Sequence, residues 1–338
     1  MPESAIYSAT LSSGTGVTLF PRSRSRPMRA GRYLVPLVLA ACSPASPGVT
    51  GQLTVFTAGS LAYPFRELLA AFAREHPGIE PRQESSGSLE AARKLTELGK
   101  IPDVLAVADH GVIAKLLMPT YTTWYVTFAS NAMVLAYSDR SAGAEEINGE
   151  NWWRILLRPG VRWGSADPAL DPNGYRSLMV LQLAERHYGE PGLARRLLEA
   201  LDPRFVRPNE AQLLGLVQAG ELDYAWSYRS LAGTAGLRRV ELPAAIDLSD
   251  AARAAEYAMA AIRLPGPHRE AGDSVEFRGE PIVYALTIPR DAPHPESARA
   301  FARFVLSPAG REILDKAGFR LLERPAVTGS GGGETLLP

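Results

Sequence analysis

Residues 53–60 (Leu-Thr-Val-Phe-Thr-Ala-Gly-Ser) most constrain what this chain can fold into. Their β-branched and aromatic side chains predict a short buried strand that ends at the small-residue turn 58–60. Apolar residues then recur at helical spacing as far as the His-Pro-Gly of residues 76–78, where proline and glycine end the helix. A helix that begins in this way has unpaired backbone N–H groups at its start, so the segment favours an anion site.

Ser60 has two interpretations. A serine at a helix start is most often an N-cap, whose hydroxyl accepts from a backbone N–H of the first turn. Alternatively, the hydroxyl joins the unpaired amides in binding an anion. The second interpretation gains support because the arrangement recurs at residues 85–88 (Ser-Ser-Gly-Ser), where Ser88 follows another predicted strand and begins another helix.

The N-terminus predicts export from the cytoplasm. Five arginines precede the apolar run 33–41, which is too short to span a membrane as a mature helix. Residues 1–41 are therefore expected to be a signal peptide, and Met1 and Met28 both suit as its start. Cys42 follows Leu-Ala-Ala directly, as in a bacterial lipobox, so we expect an acylated Cys42 that anchors the protein to the outer face of the cell membrane.

Charge and cysteine content exclude several classes of protein. The chain has 36 basic and 36 acidic side chains, and removal of residues 1–41 takes away five arginines and one glutamate, which leaves a net charge of −4. A mildly acidic protein has no electrostatic footprint for nucleic acid. Cys42 is the one cysteine, so the mature chain has no internal disulfide and no thiolate metal site.

Predicted strands and helices alternate along the mature chain, which indicates βαβ units and parallel sheets. After a tether at 42–51, further strands are predicted at 79–84, 102–107, 161–164, 222–226 and 281–288. Further helices are predicted at 89–98, 151–157, 175–187, 210–218, 296–306 and 308–317. The apolar, aromatic run 124–137 can cross between domains. We therefore expect two α/β lobes, formed by 52–128 with 281–327 and by 129–280, and a flexible glycine-rich tail at 328–338.

Polar turns follow the predicted strands and mark a cleft between the lobes. Ligands of open α/β sheets bind at the carboxyl ends of strands, where such turns meet. Gly-Ser turns at residues 60 and 88 belong to one lobe, and the turns at 171–174 (Asp-Pro-Asn-Gly) and 227–228 belong to the other. Neutral hydroxyl and amide donors suit a small ionised oxyanion, since a buried cation would cost desolvation. Taken alone, residues 171–174 are equally well explained as a turn and helix cap.

A family resemblance extends from residue 53 to about residue 327. The chain is similar to the solute-binding lipoproteins of tungstate/molybdate ABC importers, the archaeal-type group in particular. The matching segments are 56–61, 86–88, 107–109, 124–125, 131–134, 167–172, 174–180, 228–230, 241–243 and 281–284. Among them, the Asp-Pro followed by Gly-Tyr-Arg-Ser-Leu-Met is the most specific.

The resemblance implies a type II periplasmic binding-protein fold that holds molybdate or tungstate between its lobes. By position, Ser60 and Ser88 would supply hydroxyls and adjacent amides, and Leu61 a backbone N–H. Asp171, with Pro172 beside it, would approach from the second lobe. The resemblance also implies a membrane permease as partner, and we expect a monomer without a cofactor.

The sequence departs from this family before the Tyr-Arg-Ser motif. Several members carry a glutamate there, which completes an expanded coordination of the metal, whereas this chain has Ser227. A carboxylate repels a dianion unless it bonds the metal or is protonated. Six-fold coordination is therefore in doubt, and Ser227 would suit a tetrahedral anion as a further donor. Asn173, which replaces a frequent cysteine, could donate as well.

Other interpretations remain open at this stage. The ligand could be another small anion such as sulfate, phosphate or an organic acid, because pocket radius cannot be read from sequence. An enzyme on the same fold is less expected, since no Ser/His/Asp constellation is evident and the histidines lack metal-ligand spacing. Asp103 and Asp109 are expected to cap or to face solvent, and Arg176 could reach an anion or form a salt bridge.

Overall fold

The computed structural model describes residues 49–266 and 272–337. The predicted signal peptide, the acylation site at Cys42 and most of the tether lie outside the described residues. Within these two ranges, none of the helices has the length and apolar character needed to cross a bilayer.

The strands form two main sheets and a separate hairpin. In chain order they are β1 Gly51–Ala58, β2 Ile79–Ser86, β3 Val104–Val107, β4 Trp124–Ser130, β5 Met133–Tyr137, β6 Trp163–Ala166, β7 Val206–Arg207, β8 Tyr224–Tyr228, β9 Arg238–Glu241, β10 Ala261–Pro265, β11 Ser274–Arg278, β12 Val283–Thr287 and β13 Arg320–Gly329. The first sheet has the order β13-β4-β12-β3-β1-β2, the second β7-β6-β8-β5-β9, and β10 pairs with β11.

Parallel pairing places the predicted turns at shared sheet edges. In the first sheet β1 runs parallel to β2 and β3, so the turns after β1 and β2 emerge side by side. In the second sheet β6 runs parallel to β7 and β8, so the segments that follow these strands also emerge together. Both sheets belong to the same compact unit of the chain.

Helices cover the sheets. They are α1 Ala62–Glu75, α2 Ser88–Thr96, α3 His110–Val112, α4 Trp152–Leu156, α5 Pro172–His187, α6 Leu193–Ala200, α7 Glu210–Ala219, α8 Arg229–Thr234, α9 Ala254–Tyr257, α10 Pro295–Leu306 and α11 Pro308–Lys316. Helix α1 buries Phe65 and Phe72, and both rings contact Phe301 of α10. The apolar spacing that predicted α1 therefore describes its buried face.

The run 124–137 does cross between the sheets, because β4 belongs to the first and β5 to the second. The backbone N–H of Asn131, in this crossing, donates to the carbonyl of Ile282 at 3.4 Å. Ile282 lies in a second crossing segment before β12, and its own N–H donates to Leu248 at 2.8 Å. The two crossings therefore lie side by side at the centre of the molecule.

Residues 328–337, which the sequence predicts to be a flexible tail, take regular structure over part of their length. Strand β13 continues to Gly329, where it pairs with Trp124 of β4, and Leu336 in the following 3-10 turn is 3% exposed. Gly329 has φ +94°, and a Cβ there would overlap the carbonyl oxygen of Thr123. The glycine thus permits a close backbone approach, a use that composition cannot distinguish from disorder.

Candidate functional site

The turn after β1 holds Ser60 in a buried position. Residues Gly59–Leu61 form a 3-10 turn before α1, and Ser60 is 4% exposed. Its Oγ lies 3.0 Å from the hydroxyl of Tyr284 on β12 and makes no capping hydrogen bond. The N-cap interpretation of Ser60 is therefore wrong. Leu61 is fully buried beside it, and its N–H belongs to the first helical turn.

Ser88 is the first residue of α2 and is fully buried. Its Oγ accepts a hydrogen bond from the backbone N–H of Ala108 at 3.0 Å. The N-cap position belongs to Gly87, which makes no side-chain cap. Because the oxygen of Ser88 serves as an acceptor, its single hydroxyl proton remains available for a ligand.

Asp171 begins the long helix α5 from the second sheet. Its Oδ1 accepts from the N–H of Asn173 at 2.9 Å, so the helix-cap interpretation of this turn is correct. Pro172 occupies the first helical turn, where the missing N–H costs nothing. The second carboxylate oxygen accepts from the N–H of Glu210 at 3.3 Å, which links the starts of α5 and α7.

Asn173 is fully buried, yet neither its Oδ1 nor its Nδ2 has a hydrogen-bond partner within residues 49–266 and 272–337. A buried amide without partners is costly, and such groups are uncommon in folded proteins. The amide lies one residue from Pro172 at the start of α5, where the sequence placed a donor to the ligand.

Glu210 is the residue that the sequence interpretation missed. It is 1% exposed at the first position of α7. Its Oε1 accepts from the hydroxyl of Ser227 and from the N–H of Tyr228, both at 2.6 Å. The Ser227 proton is therefore directed at Glu210, and a carboxylate lies beside the position where the sequence suggested that it was absent. The weak signal for it was an acidic residue after Pro-Asn at a helix start, which usually serves the helix dipole alone.

Asp171 and Glu210 form a buried acidic pair. Burial, which removes water from the carboxylate, raises the pKa of Asp171 to about 6. Burial and the neighbouring charge of Asp171 raise the pKa of Glu210 well above its ordinary value. Both carboxyl groups therefore bind protons more tightly than they would in water.

Arg176 neutralises a different acid. Its Nη1 donates to the carbonyl of Ala108 at 2.7 Å and to the hydroxyl of Tyr228 at 2.9 Å. Its Nη2 lies 3.2 Å from Oδ2 of Asp109, which also accepts from the hydroxyl of Tyr175. Burial alone would raise the pKa of Asp109, but the charge of Arg176 lowers it overall. The salt-bridge interpretation of Arg176 is therefore correct.

Asp109 also belongs to a group of possible metal ligands. Within the described ranges, this group consists of Asp109, His110 and Glu280, whose ligand atoms all lie within 4.8 Å of one another. Oδ1 of Asp109 accepts from the N–H of Gly111, and Oδ2 accepts from the hydroxyl of Tyr175 and forms an ion pair with Arg176. The group is part of an ion-pair network around Arg176.

Asp109 caps α3, as expected, through its bond to Gly111 at 2.7 Å. Asp103 does not face solvent. It is fully buried, and its carboxylate accepts from the N–H groups of Thr54 at 2.7 Å and His294 at 2.6 Å. It fixes backbone in the first sheet and takes no part in the site.

Contacts between the two sheets bring the site together. The carbonyl of Leu170 accepts from the N–H groups of Leu89 and Glu90, at 3.1 and 3.2 Å, and so caps α2 from the second lobe. A Cβ built on Gly59 would lie 3.8 Å from that of Asn209, next to Glu210. The turns that carry Ser60, Ser88, Asp171 and Glu210 therefore face one another across the cleft.

Comparison with known proteins agrees with this architecture. An uncharacterized solute-binding protein of Petrotoga mobilis is 44% identical over 270 residues, which cover 80% of this chain and 84% of the relative. The molybdate/tungstate-binding protein WtpA of Pyrococcus abyssi is 38% identical over 308 residues, which cover 83% and 88%.

The solved structure of the sulfate-binding protein SubI of Mycobacterium tuberculosis matches with a TM-score of 0.56 at 15% identity, over 80% of this chain and 87% of that one. The expected periplasmic binding-protein fold, with two α/β lobes and a cleft, is thereby confirmed. The model of the bacterial extracellular solute-binding protein family matches residues 53–320. The chain therefore belongs to the family of bacterial extracellular solute-binding proteins.

Proposed function

We propose that the protein captures tungstate or molybdate between its lobes and delivers it to the membrane permease of an ABC importer. We propose that the two lobes are residues 52–128 with 281–327 and residues 129–280. The observation that carries the proposal is the buried pair Asp171 and Glu210, whose turns contact the serine-bearing turns of the first lobe. The relative from Pyrococcus abyssi, named for these two anions, supports it.

The first lobe supplies neutral donors. Ser88 keeps its hydroxyl proton for a ligand because its oxygen accepts from Ala108. Ser60 and Leu61 lie in the first helical turn after β1, where N–H groups lack intrahelical partners. An oxyanion accepts hydrogen bonds and donates none, so these groups suit it.

The carboxylates decide which oxyanion binds. A carboxylate close to a dianion is repulsive unless it forms a bond that offsets the repulsion. Molybdenum and tungsten in their oxyanions can accept two further oxygen ligands and become six-coordinate, whereas sulfur and phosphorus in sulfate and phosphate do not. On this proposal Asp171 and Glu210 each bond the metal of the bound oxyanion. This replaces the expectation of a four-coordinate anion, which rested on Ser227 as the substitute for a glutamate.

The shared fold of the sulfate-binding protein does not choose the ligand, since its 15% identity shows the fold alone. Among the alternatives, sulfate, phosphate and organic acids would form no bond with either carboxylate of the pair. An enzymatic role has less support, because the described hydrogen-bond partners of Ser60 and Ser88 are the Tyr284 hydroxyl and the Ala108 N–H, neither of which is a general base.

The family and the N-terminal sequence support a location outside the cytoplasm. We propose that acylation of Cys42 anchors the protein to the outer face of the membrane, where it acts as a monomer. The tether 42–51 would then allow the binding domain to reach the permease.

The test compares the binding of several oxyanions by the wild type and by the variant Glu210→Gln. Glu210→Gln retains Oε1, the oxygen that accepts from Ser227 and Tyr228, and removes the charge. We expect tungstate and molybdate, but neither sulfate nor phosphate, to raise the melting temperature of the wild type, since ligand at about 100 times Kd adds about 2.7 kcal/mol. Glu210→Gln should lose most of this shift, whereas Glu312→Gln on exposed α11 should retain it.

X-ray absorption spectroscopy on bound tungstate then counts the oxygen neighbours of the metal. Six oxygens are expected in the wild type and fewer in Glu210→Gln. Four oxygens in the wild type, or an equal response to sulfate, would refute the carboxylate-bonded site.

A further inference from the structure

We infer that Asn131 and Tyr284 are positioning residues that turn the Ser60 hydroxyl so that its proton points away from Tyr284 and toward the bound oxyanion. The inference rests on the proposed function and adds two residues to it that do not contact the ligand. It depends on which atom donates in each hydrogen bond that links Asn131, Tyr284 and Ser60.

The amide of Asn131 has one allowed orientation. Its Oδ1 accepts from two backbone N–H groups, those of Ala132 at 3.0 Å and Ser230 at 3.3 Å. Backbone N–H groups only donate, so the atom facing them is the oxygen. The Nδ2 group therefore donates to Oγ of Ser230 at 2.7 Å and to the hydroxyl oxygen of Tyr284 at 3.2 Å.

This orientation decides the direction of the next bond. Tyr284 is fully buried, and its oxygen already accepts from Asn131. Its own proton needs an acceptor, and Oγ of Ser60 lies 3.0 Å away. If Ser60 donated instead, the Tyr284 proton would have no partner among the described residues, which is costly for a buried hydroxyl. Tyr284 therefore donates to Ser60.

Tyr284 also retains its proton at any physiological pH. Burial raises the pKa of its hydroxyl, and the nearby charge of Glu210 raises it further. The oxygen of Ser60 is thus an acceptor in this bond, and the Ser60 proton is free to donate elsewhere.

In both serines of the first lobe the hydroxyl oxygen accepts a hydrogen bond, but the donor differs between Ser60 and Ser88. The oxygen of Ser88 accepts from a backbone N–H, that of Ala108, and the oxygen of Ser60 accepts from the Tyr284 hydroxyl. In each case the only remaining capacity of the hydroxyl that suits an oxyanion is donation. A cation, or a neutral ligand with few hydrogen-bond acceptors, would not require both serine hydroxyl protons to be free for donation.

The hydrogen bonds that link Asn131, Ser230, Tyr284 and Ser60 also join three elements of the fold. Asn131 lies in the crossing between β4 and β5, Ser230 is in α8, and Tyr284 is in β12. The direction of the Ser60 hydroxyl is therefore set by residues of the crossing segment, of α8 and of β12.

Affinity measurements with a double-mutant cycle test the inference. Tyr284→Phe removes only the hydroxyl and leaves the ring to pack against Tyr228 and Phe319. We expect it to weaken tungstate binding about tenfold, and Ser60→Ala to weaken it by roughly ten- to a hundredfold. The double variant Ser60→Ala/Tyr284→Phe should bind no more weakly than Ser60→Ala alone, because Tyr284 acts through Ser60.

Two further variants separate positioning from a general effect on folding. Ser88→Ala combined with Tyr284→Phe should show multiplied losses. Tyr188→Phe is the matched control, because Tyr188 also accepts from an N–H, that of the Trp152 indole, and donates to a carbonyl, that of Gly149, outside the site. It should bind tungstate like the wild type. Normal binding by Tyr284→Phe, or multiplied losses with Ser60→Ala, would overturn the inference.

Neutron diffraction on ligand-free crystals provides a test that does not depend on the identity of the ligand. The deuterium between Tyr284 and Ser60 should lie on the Tyr284 oxygen. A deuterium on Ser60 that points at Tyr284 would overturn the positioning role even if tungstate binds. If the deuterium lies on Tyr284 but the wild type does not bind tungstate, the proposed ligand is refuted, and the hydrogen bond from Tyr284 to Ser60 stands.

Discussion

The buried carboxyl of Asp171 should give the ligand-free protein a measurable pH dependence. Burial raises its pKa from 3.8 to about 6. A shift of roughly two units corresponds to about 3 kcal/mol of difference between the two protonation states. The folded protein binds this proton more tightly than the unfolded chain, so the contribution to stability is fully present below about pH 4. It is lost as the pH rises to about 6 and stays lost above that.

The variant Asp171→Asn isolates this contribution. Asparagine is also a good N-cap, so the bond to the N–H of Asn173 can persist, and its side chain does not titrate. The bond from the N–H of Glu210 to the second oxygen is lost, but that loss is the same at every pH. We would measure the free energy of unfolding by urea at several pH values between 4 and 7.5 for both ligand-free proteins.

The difference in unfolding free energy between the variant and the wild type should shift by about 2.4 kcal/mol in favour of the variant between pH 4 and pH 7. Because Asp171 and Glu210 are adjacent, the midpoint belongs to the pair. A difference that does not change with pH, or that changes in the opposite direction, would refute the view that Asp171 is destabilised as an ion. In the wild type, tungstate affinity should also fall as the pH drops below about 6, because protons then compete with the metal for the carboxylate.

Three further changes test other parts of the molecule. Gly87→Ala should weaken tungstate binding, because a Cβ there would overlap the carbonyl oxygen of Leu170 and prevent the second lobe from capping α2; unchanged affinity in calorimetry would contradict this role. Ser227→Glu should nearly abolish binding at neutral pH, since it adds a negative charge beside Glu210 and repulsion at close range is several kcal/mol even at an effective dielectric near 20; tighter tungstate binding would disprove the expectation. Cys42→Ser should leave the precursor unprocessed or release the protein from the membrane fraction, and normal partition in fractionated cells would rule out lipid anchoring.

The fold could be predicted where the signal is local. The apolar spacing of α1 and the β-branched run of β1 depend on residues within a single element, and both elements are found where expected. Strand β13 was missed because its ten residues alternate poorly between buried and exposed and are held by pairing with β4, which lies far away in sequence. The hairpin of β10 and β11 was missed because one of its strands ends at a proline and neither is well buried.

The site residues could be predicted where they lie in a turn between a strand and a helix. Ser60, Ser88 and Asp171 each follow a strand and begin a helix, so their positions at the sheet edges follow from chain order alone. Glu210 gives no such signal, because its helix follows the two-residue strand β7 and an acid at a helix start is common. Only the parallel alignment of β6 with β7 and β8 brings the start of α7 beside Asp171 and Ser227. The hydrogen bond that the Ser227 hydroxyl donates to Glu210 depends on that tertiary placement.

The acidic pair also explains how a site made largely of neutral donors could be selective. Serine hydroxyls and helix-end amides would bind any small tetrahedral dianion, and Arg176 adds little discrimination because Asp109 already neutralises it. The repulsion from Asp171 and Glu210 falls on every such anion alike. On the proposed function, only an oxyanion whose central atom can bond both carboxylates offsets that cost, and sulfate and phosphate meet the repulsion without the bonds. The pair would therefore lower the affinity for sulfate and phosphate relative to that for molybdate and tungstate, which is how specificity arises as a difference between two binding free energies.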